Sequence, residues 1–278
     1  MFLLQQLTGL EEEEERRGRH NEQVKSIKEC GVKTLVAVTE EVGEFDRVLQ
    51  LQDRYPDLVA PCFGLHPLQE CGQRSVNPQS NCIPPAQWSP VRGKQERRDS
   101  EASGGDEGIG LDFTPWCAPS HPDREDQMSV FIKQLSVAKE LQLPVNVHSR
   151  SAAKVTIETM REQGISRALL HNFAGKPSVA LEGVKAGFFF SFPPAVCRNH
   201  QRDKLIKQIP LEHICLETDS PALGLDRHER NEPCNIALCC RHIADVKGLS
   251  TQTVQIVTAQ NALRLFPKVQ THMQHISL

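Results

Sequence analysis

Three side chains carry most of the chemistry that this sequence offers: His148, His171 and Asp219. In VNVHSR (145–150) and ALLHNF (168–173), an apolar run delivers a histidine just before the chain turns polar. A neutral imidazole in that position is a good ligand for a divalent metal. Taken singly, each reads first as a satisfied core or loop histidine. Two of them after consecutive runs converge if those runs are neighbouring parallel strands. ICLETDSPALG (214–224) then ends a short apolar run in two carboxylates, Glu217 and Asp219. Asp219 offers the hard oxygen ligand that a metal site wants, and before Ser220 and Pro221 it serves equally as a helix N-cap. On a regular strand Glu217 shares the face of Asp219 and supports it as a partner.

The elements that must position these groups alternate. Short β-branched or aromatic runs fall at 34–40, 58–67, 108–113, 143–150, 167–173, 188–194 and 214–221. Amphipathic helical patterns lie between several of them, at 127–142, 151–164 and 177–187, with Gly164 placed for a left-handed C-terminal cap and Pro177 for a first turn. Such repetition implies parallel strands joined by right-handed crossovers. The seven runs are one short of an α/β barrel of the TIM type, (β/α)8; a doubly wound open sheet is the alternative. His66, Asp112, His148, His171 and Asp219 each end a different run, which favours the barrel, whose sites assemble at the C-terminal face of the strands.

Bulk properties narrow the function classes. The chain of 278 residues is 38% hydrophobic and 24% charged, globular in character. Lys+Arg 32 against Asp+Glu 35 gives net charge -3, so no global basic field marks a nucleic-acid binder. A metal and a local basic rim would still hold a phosphodiester. The ten cysteines are scattered without a Cys-x-x-Cys pair, which reads as a reduced intracellular protein of the cytoplasm or nucleus. No run approaches a membrane span or a secretory leader. Two regions do not fit a barrel: residues 1–30, where EEEEERRGRHNEQ (11–23) reads as a solvated helical face, and the Pro-, Ser- and Arg-rich stretch at about 77–107, which reads as loop or disorder. The expected division is an atypical N-terminal segment (1–30) replacing the first strand, a barrel over 31–268 with that insert, and a C-terminal tail (269–278).

GLHP (64–67), GLD (110–112), NVHSR (146–150), LLHNF (169–173), LETDSP (216–221), RNEP (230–233) and QNALRLF (260–266) occur in the order seen in TatD-family metal-dependent deoxyribonucleases, which the chain resembles from about residue 30 to 268. The resemblance implies a barrel of the metal-dependent hydrolase superfamily, one or two divalent ions (Zn, Mg or Mn) and hydrolysis of DNA phosphodiesters. It implies His148 and His171 as ligands of one metal, and Asp219 as ligand of the other and catalytic carboxylate. His66 would lie near the site, with Arg150 and Arg230 as phosphate contacts; each arginine is otherwise an ordinary surface or rim charge.

Two features depart from the family pattern. No His-x-His occurs anywhere in the chain. Where the family carries a metal-bridging glutamate, EGIGLD has Gly108, with Glu107 one place earlier and expected on the opposite strand face. The alternative expectation is therefore a catalytically silent barrel that binds DNA or protein, arising from a splice variant or a mispredicted gene. Its basic clusters would be RGKQERR (92–98) and RNHQRDKLIK (198–207). Hydrolysis of an amide on the same scaffold is a third reading.

Overall fold

A computed structural model describes residues 2–6, 24–39, 42–67, 106–198 and 200–267, with 2–6, 42 and 106–107 described as backbone only. Eight parallel strands run through it. β1 (Phe2–Gln6), β2 (Thr34–Val38) and β3 (Val59–Cys62) form one arc. β4 (Asp106–Asp112), β5 (Val145–Arg150), β6 (Ala168–Leu170), β7 (Phe189–Phe192) and β8 (Ile214–Leu216) form the other. β3 comes beside β4 and β1 beside β8, so the arcs meet at two seams and enclose one interior. The fold is the (β/α)8 barrel, with its hydrogen-bonded ladder interrupted at those seams. Phe2–Gln6 lies within the segment expected to replace the first strand, yet it takes the first-strand place itself, pairing Phe2 with Thr34 and Gln6 with Val38. The insert at about 77–107 lies outside the described residues except for its last two.

The strands form where the sequence is β-branched or aromatic and both faces can be covered. TLVAV in β2 and FFSF in β7 are buried at every position, as parallel strands under a helical layer must be. The helices of that layer are α1 (Phe45–Arg54), α2 (His121–Glu140), α3 (Ala153–Glu162), α4 (Pro177–Lys185), α5 (Asp203–Gln208), α6 (Ile236–Lys247) and α7 (Thr251–Leu265). α2 starts six residues before the helical pattern expected at 127, because Ser120 and Asp123 close a capping box and Pro122 sits in the first turn.

Burial follows the strand period of two. Leu35, Ala37, Ile109, Leu111, Val145, Val147, Leu170, Phe190, Ile214 and Leu216 face the helices in the larger core. Val36, Val38, Ala60, Cys62, Leu169, Phe189 and Cys215 fill the interior with Ala262, Leu265 and Phe266 from the C-terminal end of α7. Asn261 of α7 donates to the Leu211 and Ile214 carbonyls at 2.8 and 2.7 Å, fixing that plug under the N-terminal end of β8. One step of two beyond the interior residues Leu169, Phe189 and Cys215 come His171, Ser191 and Glu217. The same register that packs the barrel thus aims polar groups into its mouth.

One expectation is corrected. Cys30 and Cys234, 204 positions apart, form a disulfide with Cα atoms 5.7 Å apart, while the other described cysteines are thiols. Linear spacing reveals nothing about a pair that only the closed fold brings together. Among the described residues no helix is long and apolar enough to cross a membrane.

Candidate metal centre

His66, His148 and His171 are buried and converge at the C-terminal end of β3, β5 and β6, each offering one ring nitrogen within 4.8 Å of the others. The His148 ring lies 4.5 Å from that of His66 and 5.3 Å from that of His171, centre to centre. The loop bearing His66 is held by Gln134 of α2, whose Oε1 accepts from Leu65 N at 2.9 Å. The Thr39 hydroxyl is also 3.1 Å from Gly64 N, which donates to it.

Carboxylates stand behind two of these imidazoles. Asp112, at the end of β4, meets His148 Nε2 at 3.0 Å and accepts from Arg150 Nε at 2.6 Å and from Thr114 N at 2.9 Å. Burial pushes the Asp112 carboxyl up, but the hydrogen bonds from His148 and Thr114 outweigh it and hold it below the ordinary carboxylate range. Glu217 Oε2 lies 3.9 Å from His171 Nδ1, a buried nitrogen with no hydrogen-bond partner of its own. Glu217 is fixed by Ser191, whose hydroxyl donates at 2.8 Å, and by Asn172 N, also at 2.8 Å.

This arrangement leaves His148 Nδ1 and His171 Nε2 facing each other at 3.3 Å. Bonds of about 2.0–2.1 Å to a tetrahedral zinc put two ligand nitrogens roughly 3.4 Å apart, so the pair matches an edge of such a site. Both rings favour the neutral, ligand-competent form. Burial lowers His148, opposed by Asp112, and burial together with His148 brings His171 down to about 3. The Asp112 carboxylate hydrogen-bonded to His148 is the usual means of fixing the tautomer of a metal-binding histidine. The buried His66–His148–His171 group is compatible with a divalent ion.

The other expected site residues sit as follows. Asp219 is buried after β8, but does not come within 4.8 Å of all three imidazoles. Its backbone is left-handed (φ 58°), in a turn beyond the end of β8 at Leu216. Asn231 Nδ2 pins that turn, donating to the Thr218 carbonyl at 2.7 Å. Burial raises Asp219, and burial together with Asp219 raises Glu217. Arg150 is committed to Asp112 and lies over the Trp116 ring, 5.3 Å from its centre. Arg230 is exposed in the loop after β8. Sequence reasoning placed Asp112 at a strand end without a role; the signal was its motif, GLD.

The departure at Gly108 coincides with a close approach of β4 to β2. A Cβ there would lie 2.4 Å from Val38 Cγ1 on β2, so this position has no room for a side chain. β4 is irregular at that point: Asp106 pairs with Val145 and Gly108 with Asn146, leaving Glu107 as the extra residue of a bulge. The direction of the Glu107 side chain lies outside the described residues.

Comparison with known proteins adds a separate line of support. Residues 9–267 match the profile of the TatD related DNase family. The tatdn3 protein of Danio rerio is 60% identical over 242 residues, covering 87% of this chain and 89% of that protein. Deoxyribonuclease TATDN3 of Homo sapiens is 47% identical over 254 residues, covering 90% of each. Among solved structures, the TatD homologue YJJV of Escherichia coli superposes with a TM-score of 0.77 at 22% identity, covering 90% of this chain and 92% of that one, which supports the barrel fold.

Proposed function

The chain belongs to the TatD-related DNase family, and from that premise we propose that it is a metal-dependent deoxyribonuclease that hydrolyses DNA phosphodiesters at the mouth of its barrel. The observation that carries this reading is the trio of buried imidazoles, of which His148 and His171 favour the neutral form and have a carboxylate nearby. His66, His148 and His171 would hold a divalent ion. Such an ion supplies a Lewis acid and a water of lowered pKa. Asp112 orients His148 through its hydrogen bond, and Glu217 stands 3.9 Å behind His171 Nδ1. In this reading Asp219, buried after β8 with its carboxyl raised by that burial, would take the proton from the attacking water. Arg150 and Arg230 remain phosphate contacts in this reading, with Arg150 tied to the site through Asp112.

The test is hydrolysis of DNA with Mg²⁺, Mn²⁺ or Zn²⁺ added to chelated protein. Activity is expected to depend on the metal and to vanish in the His148→Ala, His171→Ala double variant. Equal rates in the two proteins would reject the assignment and leave the silent barrel as the reading to pursue.

A further inference from the structure

Close to the histidine group in the fold lies a cation that, among the described residues, has no carboxylate paired with it. Arg202 sits in the β7–β8 connection, half-buried, and its Nη1 donates to Asn172 Oδ1 at 2.8 Å. Asn172 directly follows His171, and its own N–H donates to Glu217. The chain of contacts from guanidinium to imidazole is therefore short. Yet Asn172 is a neutral amide, and among the described residues no carboxylate comes within 4.0 Å of Arg202. Glu217 acts on it only at longer range, because its oxygens are taken by Ser191 and Asn172.

The other arginines near the mouth differ. Arg150 is neutralised by Asp112 at 2.6 Å. Arg198 is spent on the Gly224 and Leu225 carbonyls. Arg230 is exposed, where water solvates it. A half-buried guanidinium without an anion carries a desolvation cost that a bound anion would offset, and burial lowers the pKa of Arg202 in keeping with that. Its planar fork is suited to phosphate oxygens.

We infer that Arg202 is a substrate-positioning residue that binds a non-bridging oxygen of one phosphodiester of the DNA strand next to the histidine group. This rests on the nuclease reading but names a residue and a contact beyond it. The probe is a set of single-stranded oligodeoxynucleotides, each carrying one uncharged methylphosphonate linkage at a successive position. Binding is read by fluorescence anisotropy on chelated full-length protein, so it does not depend on hydrolysis. Wild-type protein is expected to lose affinity when one particular linkage near the site is neutralised. Arg202→Met is expected to bind the all-phosphodiester strand roughly 10-fold or more weakly, the range of a hydrogen bond to a charged group, and to lose that linkage-specific penalty. Arg202→Lys, which keeps the charge, is expected to retain part of both. With metal added, KM should rise in Arg202→Met while kcat changes little.

A penalty that persists unchanged in Arg202→Met, or equal affinity of the two proteins, overturns the proposal. If Arg202→Met does not fold, the wild-type scan and Arg202→Lys decide: a flat scan, or a lysine variant identical to wild type, overturns it. Absence of DNA binding by the wild type overturns it as well. Binding with the expected pattern but no metal-dependent hydrolysis would instead reject the nuclease reading and leave the contact standing.

Discussion

Asp112 and Glu217 show how much one buried carboxylate can fix. Asp112 holds His148 by its Nε2 and Arg150 by its Nε, so Asp112→Asn weakens both ties while keeping the volume. Divalent-metal affinity is expected to fall about 10–100-fold, as for other outer partners of ligand histidines, and isothermal titration with Zn²⁺ against wild type measures it; unchanged affinity would remove Asp112 from the metal centre. Glu217 gives a pH signature. In metal-free protein, burial and Asp219 raise its carboxyl from 4.5 to about 8. Between those values the folded state keeps a proton that the unfolded chain releases, so this contribution is complete below about 4.5 and is lost as pH rises towards 8. Glu217→Gln removes the titration, and its stability is expected to vary less over that window. Urea unfolding of both chelated proteins at several pH values checks this, and parallel curves would contradict it. His148 and His171 were legible as candidate ligands because each ends an apolar run. The partners behind them were not, because a carboxylate's role depends on which neighbour it meets across strands.

At the scale of the element, the close approach of β4 to β5 decides whether His148 is aimed correctly. Gly110 has φ 141°, and a Cβ there would lie 2.0 Å from the His148 carbonyl oxygen, a backbone atom that cannot move aside. Gly110→Ala is expected to destabilise by about 1–3 kcal/mol or more and to weaken metal binding with it. Denaturant midpoints alongside the metal titration would show both, and a neutral substitution would mean that β4 can shift without cost. The repeating runs after residue 30 predicted seven strands correctly in kind, since β-branched and aromatic runs bounded by polar turns declare themselves. The first strand, FLLQQ, was passed over because five residues before an acidic stretch carry no period of their own; pairing with β2 makes it a strand. The turn at Asp219 was missed for a related reason, since the end of β8 at Leu216 breaks a period that sequence reasoning must assume continues.

Over the whole molecule, the Cys30–Cys234 bond ties the segment before β2 to the start of α6 across 204 positions. Closing so long a loop restricts the unfolded chain, and its reduction is expected to lower stability by roughly 2–4 kcal/mol. Guanidinium unfolding with and without a thiol reductant, and of a Cys30→Ser, Cys234→Ser variant, measures it; identical midpoints would show that the bond stabilises nothing. What the sequence determined alone was local and ordered: alternating strands and helices, polar residues at strand ends, and motifs in succession that resemble one family. These survive reading in one dimension because hydrophobic periodicity and strand termini are properties of neighbouring residues. The tertiary structure decided which of those ends meet. It drew His66 in with His148 and His171 in the tight group, set Asp219 outside it, neutralised Arg150 and left Arg202 with no carboxylate partner among the described residues. Each of those outcomes depends on distances of a few ångströms between strands far apart in the chain, which barrel closure fixes and residue spacing does not encode.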